Sequence, residues 1–452
     1  MNLQNIENIY QLSFLQEAIL LDRLKLPEND LCCEQLVYHL DGFLNISAWE
    51  QAWRQAIDRH SVLRTAFAWQ RVEDPLQIVF KQVKPSLSHQ DWRSLTASQQ
   101  QEKLEEYVRI EKERGFNLLK PPLIRVSICQ VDECTYQAII SYHALILDRH
   151  SVFLILQDVF KLYENILQNY HSLLAETYPY RDYVVWLREQ DLSQIEVFWR
   201  QLLKGFYTPN SLVVDRVSRD PTNQTGNADK EVQLSAMVTT GLQTLAKTHH
   251  FSLKTLIQAA WAILLSRYND RNDIVFGVNI SNRASSSPKI KSMVGPLESI
   301  LPIRVYLPIQ EQLVNWLKEV EEQHSELVKH QHVSLLKLQS WSDISGGLPL
   351  FESIVVFEDF SHNVSCESLE MEAIRSLTWA NYPLALIVKS DLRLSLRIVY
   401  SCKRFDTDVI CRMLRHLETL LESISINPDQ CLSTVSLISK AELHQLEEWC
   451  HA

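Results

Sequence analysis

The chain has 452 residues and a formal net charge of −11, with 46% hydrophobic and 22% charged residues. These proportions are typical of a soluble globular protein, and the length predicts two domains of roughly 200 residues each. The acidic balance argues against a nucleic-acid partner, because neutralising phosphates requires clustered Lys and Arg. The sequence contains no GxGxxG or P-loop pattern and no apolar run long enough for a membrane helix, so neither a nucleotide-phosphate site nor a membrane partner is expected.

The cysteines and the N-terminus bear on the cellular compartment. The nine cysteines are scattered, without the spacing of a zinc site or of a disulfide framework. The first residues lack the basic start and apolar core of a signal peptide. The sequence therefore predicts a reduced, cytoplasmic protein that binds no metal and no cofactor of its own.

In the first half of the chain, helices and strands alternate. The apolar periodicity of 8–27 predicts a helix after a short entry segment, 9–13, with Ser13 as N-cap and Gln16 in the spacing of a capping box. The stretch 45–60 is predicted to form an amphipathic helix. The other predicted elements are strands at 35–40, 63–69, 76–80, 123–130 and 135–142 and helices at 96–115 and 151–168. Ser151 is the expected N-cap of the last helix.

The second half repeats this order. A stretch poor in apolar periodicity, 207–230, predicts a linker or exposed loop between an N-terminal lobe at 1–206 and a C-terminal lobe at 231–452. The predicted elements of the second lobe are helices at 239–249, 253–268, 309–330 and 406–425, strands at 273–280, 300–306 and 352–357, and a strand pair at 383–400. Mixed strands with helices packed on them predict an α/β fold, here an α+β sandwich in each lobe.

Short motifs follow one another through both lobes. They are YQLSFLQEA at 10–18, RHSVLRTAF at 59–67, YRDYVVW at 180–186, SNR at 281–283, MVGP at 293–296, LPIRV at 301–305 and LFESIVVFE at 350–358. In this order they resemble the condensation-domain superfamily of nonribosomal peptide synthetases. The resemblance implies two chloramphenicol-acetyltransferase-like lobes that form a V around a central tunnel. It also implies that phosphopantetheine arms of peptidyl or acyl carrier proteins bring the substrates, with neighbouring synthetase domains or a tailoring enzyme as further partners.

The segment 141–151 resembles the central motif of that superfamily, in which two adjacent histidines precede an Asp-Gly pair. In the ungapped register His143 and Ala144 occupy the two histidine positions, and Asp148 and Arg149 occupy the Asp-Gly positions. In active members the second histidine contacts the acceptor amine, whereas the methyl group of Ala144 cannot take a proton. The other register, with His143 as the second histidine, needs one extra residue before Asp148.

The resemblance assigns further roles around this motif. It implies that His143 is structural and that Asp148 forms a salt bridge with Arg64. His150 is a candidate displaced base, but it follows the strand end and its ring should point elsewhere. The candidate catalytic positions are His143, Ala144, Asp148, Arg149 and Ser151.

Arg149 places an obligate charge where the superfamily has a small residue. Its guanidinium either blocks or repurposes the tunnel, or it turns toward a local carboxylate with no effect. The C-terminal lobe should contribute a second group of residues on the tunnel or carrier-arm side. These residues are Ser281, Asn282, Arg283 and Gly295.

Two functions are compatible with this pattern. The loss of the base at Ala144, together with Arg149, favours a non-catalytic scaffold that binds a carrier protein or recruits a tailoring enzyme. The retention of the surrounding motifs favours an acyltransferase that forms amides or esters by a non-standard mechanism. The resemblance implies the setting of a peptide or peptide–polyketide assembly line in either case.

Overall fold

The computed structural model describes residues 3–25, 32–170, 172–210, 226–283, 288–346, 348–358, 363–376, 382–390, 392–438 and 442. In the first half the elements are β1 (Ile6–Gln11), α1 (Phe14–Lys25), β2 (Cys33–Gly42), α2 (Ile46–Arg59), β3 (Thr65–Ala68), β4 (Leu76–Phe80), β5 (Leu87–Asp91), α3 (Ala97–Arg114), β6 (Ile124–Gln130), β7 (Thr135–His143), α4 (Arg149–Gln168), α5 (Tyr180–Arg188) and α6 (Leu192–Leu203). In the second half they are β8 (Asn227–Gln233), α7 (Ala236–His249), α8 (Leu253–Asn269), β9 (Asp273–Ser281), α9 (Pro288–Lys291), β10 (Glu298–Tyr306), α10 (Leu313–Lys329), α11 (Leu335–Trp341), β11 (Ser353–Glu358), β12 (Val364–Ser365), β13 (Leu369–Ser376), β14 (Leu384–Ser390), β15 (Leu394–Ser401) and α12 (Thr407–Ile426). Mixed sheets covered by helices confirm the predicted α/β class.

Two six-stranded sheets organise the two lobes. The N-terminal sheet has the order β12-β13-β2-β7-β6-β5, and the C-terminal sheet has the order β10-β9-β11-β14-β15-β8. A smaller sheet, β1-β4-β3, lies beside the N-terminal one. Helices α2 and α4 pack together in the N-terminal lobe, where Trp49 meets Phe160 edge to face at 5.8 Å. Helix α8 is buried on all sides at the centre of the C-terminal lobe. No helix within the described ranges is both long and apolar enough to span a bilayer.

The amphipathic patterns predicted most helices well. Helix α2 covers the stretch predicted at 45–60, and its Trp49, Trp53 and Ile57 are buried as the periodicity requires. The capping box is also confirmed, since the Gln16 amide donates to Ser13 Oγ and the Ser13 amide donates to Gln16 Oε1. The helix predicted after the entry segment 9–13 is α1, which begins at Phe14, while most of the entry segment belongs to strand β1 and pairs with β4.

The predicted lobe boundaries need correction. Strands β12 and β13 lie within 231–452, yet they complete the N-terminal sheet, where β13 pairs with β2 from Leu369 opposite Gly42 to Ser376 opposite Leu36. Conversely, α6 lies before residue 206 but packs into the C-terminal core through Trp199. Strand β8 begins at Asn227, inside the predicted linker, and residues 211–225 of that linker lie outside the described residues.

Candidate functional site

The central motif forms the connection between β7 and α4. His143 ends β7, opposite Cys33 of β2, and α4 begins at Arg149. Asp148 is the N-cap, because its Oδ1 accepts a 2.7 Å hydrogen bond from the Ser151 amide. The prediction of Ser151 as the N-cap is therefore wrong by three residues: aspartate is an equally good cap, and the helix starts earlier than its apolar pattern indicates. This geometry fixes Asp148 at the interface between the lobes.

Asp148 is the centre of a buried ion pair that joins the two lobes. Its two oxygens accept from the Arg283 guanidinium at 2.7 and 3.2 Å, and Oδ2 also accepts from the Leu297 amide at 2.8 Å. Burial opposes ionisation of the carboxyl group, but Arg283 and these hydrogen bonds outweigh it and hold the Asp148 pKa below its usual value. Asp148 is thus a fixed anion that anchors the C-terminal lobe.

The expected partner of Asp148, Arg64, lies elsewhere. Arg64 ends a short 3-10 turn, Ser61–Arg64, and pairs with Glu7 of β1. It also donates to the carbonyl oxygens of Ile57, at 3.1 Å, and of Phe80. The predicted Arg64–Asp148 salt bridge is therefore wrong, and Arg64 instead ties the small sheet to α2.

Ser151 extends the inter-lobe network. Its hydroxyl donates to the Gly295 carbonyl at 2.8 Å and accepts from the Gly295 amide at 2.9 Å and from Arg283 at 2.8 Å. Gly295 permits this approach because a Cβ there would lie 2.1 Å from Cδ2 of the Tyr180 ring. The Tyr180 hydroxyl in turn donates to the Pro296 carbonyl at 3.1 Å.

The four residues predicted for the C-terminal lobe surround this network. Arg283 and Gly295 are part of it, and the buried Asn282 side chain donates to the Leu297 carbonyl at 3.0 Å. Ser281 Oγ lies 3.4 Å from the Arg283 amide, which can donate to it. The structure therefore brings all four residues to the loop that meets Asp148. Their contact with a carrier arm stays a prediction.

His143 and Ala144 occupy the turn itself. The His143 side chain is fully buried, its Nδ1 accepts from the Leu145 amide at 3.1 Å, and its ring lies edge to face against Phe116. Ala144 is partly buried and its amide donates to the Cys32 carbonyl at 2.9 Å. The methyl group at Ala144 supplies no proton donor or acceptor at this turn.

His150 lies in the first turn of α4 and packs against Phe153, with ring centroids 6.2 Å apart. Burial, reinforced by the positive charge of Arg283, lowers the pKa of His150 to about 4. The imidazole is therefore neutral near pH 7.

Arg149 crosses from one lobe to the other. It is 7% exposed and donates through Nη1 to Oε1 of Glu358, which ends β11 and is 8% exposed. Arg149 thus turns neither into open space nor toward a local carboxylate, because its partner lies 209 residues away in the C-terminal sheet. Burial disfavours the Glu358 carboxylate, but Arg149 outweighs that effect and lowers the Glu358 pKa. The ion pair links the first residue of α4 to the last residue of β11.

Three acidic residues near Arg149 were missed by sequence reasoning. Glu358 is the last residue of β11, directly after an apolar run. A charged residue at the end of such a run was the signal in the sequence that could have identified it. Glu34 accepts from the Tyr142 hydroxyl at 2.6 Å, and its pKa is raised by burial. Glu298 opens β10, and burial together with the charge of Asp148 raises its pKa to about 8. Glu298 therefore carries a proton at neutral pH and can release it just above that pH.

No group of three His, Cys, Asp or Glu side chains within the described ranges is placed to hold a metal ion. The polar groups of the site, as far as it is described, are carboxyl and guanidinium groups, hydroxyls, two imidazoles and the Asn282 amide. These groups can bind anions, hold charges and transfer protons.

Comparison with known proteins places this geometry in one family. The model of the condensation domain matches residues 6–447. The chain is 35% identical to a linear gramicidin synthase of Brevibacillus parabrevis over 452 residues, which is 99% of this chain and 6% of that protein. The chain spans only 6 to 9% of the length of the three linear gramicidin synthase proteins it matches.

Solved structures share the fold. A four-domain nonribosomal peptide synthetase bound to AMP and glycine superposes with a TM-score of 0.81 at 16% identity, over 96% of this chain and 34% of the other. The X-domain in complex with OxyB from teicoplanin biosynthesis superposes with a TM-score of 0.79 at 20% identity, over 95% and 96% of the two chains. With a family model that matches nearly its whole length, the chain belongs to the condensation-domain family.

Proposed function

We propose that this domain works in a nonribosomal peptide or peptide–polyketide assembly line as a carrier-binding scaffold with impaired amide-bond formation. The observation that carries the proposal is the combination of Ala144 at the position of the base with the buried Arg149–Glu358 ion pair beside it. Phosphopantetheine arms of carrier proteins would enter from two faces. Neighbouring synthetase domains are the expected partners.

The missing base sets the size of the expected defect. General-base assistance contributes about 10²–10⁴-fold to a rate, and an alanine methyl group contributes none of it. Positioning of two bound thioesters would still supply part of the acceleration. The domain should therefore form peptide bonds slowly at best, while its fold and its carrier-binding surfaces persist.

The ion pair adds a steric argument. A guanidinium and a carboxylate, both nearly fully buried, fill the space between α4 and the end of β11. A substrate chain that passes this point has to displace them. Because a buried pair is costly to break, this position is a barrier in the resting domain.

A recruitment role is supported by a relative of the same fold. The X-domain from teicoplanin biosynthesis forms a complex with OxyB. A domain that has lost its base but keeps its fold fits this kind of role, in which a surface binds a modifying enzyme while a carrier presents the substrate.

The test uses two holo carrier proteins, one loaded with a donor and one with an acceptor. They are incubated with the parent protein, with Ala144→His, and with Ala144→Asn as a control that is polar but lacks a base. Peptide formation by the parent would refute the scaffold role. Product only with Ala144→His would show an open channel that lacks its base, and product only when Arg149→Gly is added would show that the ion pair blocks it.

A second function, acyl transfer with a different proton acceptor, is favoured by Glu298. Its carboxyl group has a pKa of about 8 and follows Leu297, whose amide binds Asp148. If Glu298 accepts the proton, single-turnover product formation rises with pH around 8 and disappears in Glu298→Gln. Equal rates in both proteins would rule it out.

A further inference from the structure

Arg397 lies on the face of the C-terminal sheet opposite its core helices. Its strand neighbours Leu396 and Ile398 are fully buried in the C-terminal core, so the alternation of β15 places Arg397 on the other face. In register, Arg397 stands between Ile387 of β14 and Glu231 of β8. This is the face that carries Glu358 and meets Arg149.

The guanidinium of Arg397 is buried but incompletely paired. The residue is 8% exposed, and its Nε and Nη2 have no hydrogen-bond partner among the described residues. Nη2 lies 4.0 Å from Oε1 of Glu358, an oxygen that already accepts from Arg149. Glu231, which is exposed, accepts from the Ser395 hydroxyl. Two buried donors without an acceptor in the described part of the chain are unfavourable, which points to an acceptor that arrives with a ligand.

The charges around Glu358 also leave an excess of positive charge. Arg149 is hydrogen-bonded to it, and Lys389 and Arg397 each lie 4.0 Å from one of its oxygens, so that among the described residues three cations face one carboxylate. The nearby Glu298 on β10 does not restore the balance, because burial raises its pKa to about 8, and burial also raises the pKa of Glu34 on β2. The cluster therefore attracts an anion.

We propose that Arg397, supported by Lys389, is a subsite for the carboxylate of an acyl or aminoacyl substrate with an acidic side chain. Nε and Nη2 lie on one edge of the guanidinium, and this edge matches the two oxygens of a carboxylate. The assignment rests on the proposed function, since a carrier would deliver the acyl group as a thioester.

The location favours the acyl carboxylate over the phosphate of the arm. That phosphate lies at the carrier end of the arm, and the thioester lies at the other end. Arg397 connects through Glu358 to Arg149, the neighbour of Asp148 at the centre of the interface. An anion that reaches Arg397 is therefore close to the acyl group.

The test measures binding of small probes by calorimetry. The probes are the N-acetylcysteamine thioesters of glutarate and pentanoate, which differ in the terminal carboxylate, together with free glutarate and 4′-phosphopantetheine. The proteins are the parent, Arg397→Gln, and Arg393→Gln, which removes an exposed arginine immediately before the same strand. We expect the glutaryl thioester to bind roughly ten- to hundredfold more tightly than the pentanoyl thioester, the range typical of a hydrogen bond to a charged group. This preference should vanish in Arg397→Gln and persist in Arg393→Gln.

The outcomes separate this subsite from the proposed function. Equal binding of both thioesters to the parent refutes the subsite but leaves carrier-borne thioester binding intact. Glutarate binding that depends on Arg397, without binding of either thioester, supports the subsite and counts against the assembly-line role. No binding of any probe, or an Arg397-dependent preference for 4′-phosphopantetheine alone, refutes the subsite.

A stability measurement guards against misfolding. Because the open donors of Arg397 contribute no hydrogen bonds, Arg397→Met should unfold at the same temperature as the parent or higher. A marked fall in the unfolding temperature would show that Arg397 serves the folded structure, and it would overturn the proposal.

Discussion

The Arg149–Glu358 pair allows a test in which the two partners should differ. Glu358→Leu removes the carboxylate that Arg149, Lys389 and Arg397 share, and it leaves the Arg149 guanidinium buried without that counter-charge. Arg149→Met leaves Glu358 with two cations still 4.0 Å away. The loss of the carboxylate should therefore destabilise the domain more than the loss of the guanidinium.

The expected magnitudes follow from burial. Removing one partner of a buried pair costs about 3–5 kcal/mol, and we expect Glu358→Leu to fall in this range. Arg149→Met should cost about 1.5–3 kcal/mol, the value of one hydrogen bond to a charged group, because Glu358 stays neutralised. The double variant should cost less than the sum of the two, with a coupling of about 1–3 kcal/mol.

Urea unfolding followed by tryptophan fluorescence provides the free energies of unfolding. The surface pair Arg200–Glu196 on α6 is the matched control, since both side chains are more than a third exposed and Arg200→Met should cost less than about 1 kcal/mol. Equal costs for the two single variants at the buried pair, or additivity within about 0.5 kcal/mol, would refute the reasoning.

Three further predictions concern the same interface. Gly295→Ala should lose about 1–3 kcal/mol of stability because its methyl group meets the Tyr180 ring, whereas Gly346→Ala, with open space around it, should be neutral in thermal unfolding. The stability of the parent should fall between pH 4.5 and about 8, because the Glu298 carboxyl ionises in that window in the unfolded chain but stays protonated in the folded one. Glu298→Gln should abolish this fall, and pH–stability curves of variant and parent that run parallel would contradict the prediction. Arg283→Met should cost about 3–5 kcal/mol in urea unfolding, since it leaves the N-cap carboxylate of α4 without its buried counter-ion, and a loss below about 1 kcal/mol would argue against that pair.

The periodicity of apolar residues was sufficient to predict helices and strands that have a strong apolar pattern of their own. Helix α2 and strand β4 match their predicted ranges because their apolar periodicity is strong. Strands β1 and β13 were not predicted. Each depends on a partner edge supplied by a distant strand, β4 or β2, and a single sequence does not reveal that partner.

The candidate site shows the same division. Sequence motifs identified Asp148, Arg149, Ser151, Arg283 and Gly295, and the structure brings all of them to one interface. The pairing was not predictable, because the ion-pair partners are 135 and 209 residues apart and their approach is set by how the lobes pack. The sequence therefore supplied the charged groups, and tertiary structure decided which of them neutralise one another.

The crossing of β13 into the N-terminal sheet has a consequence for synthesis. The edge of β2 that pairs with β13 stays open until residues 369–376 have left the ribosome, although β2 itself is made early. An open strand edge readily pairs with other chains. The nascent N-terminal lobe therefore carries an aggregation-prone edge from the synthesis of β2 until β13 has emerged, and the N-terminal lobe completes its folding only with a segment from the second half of the chain.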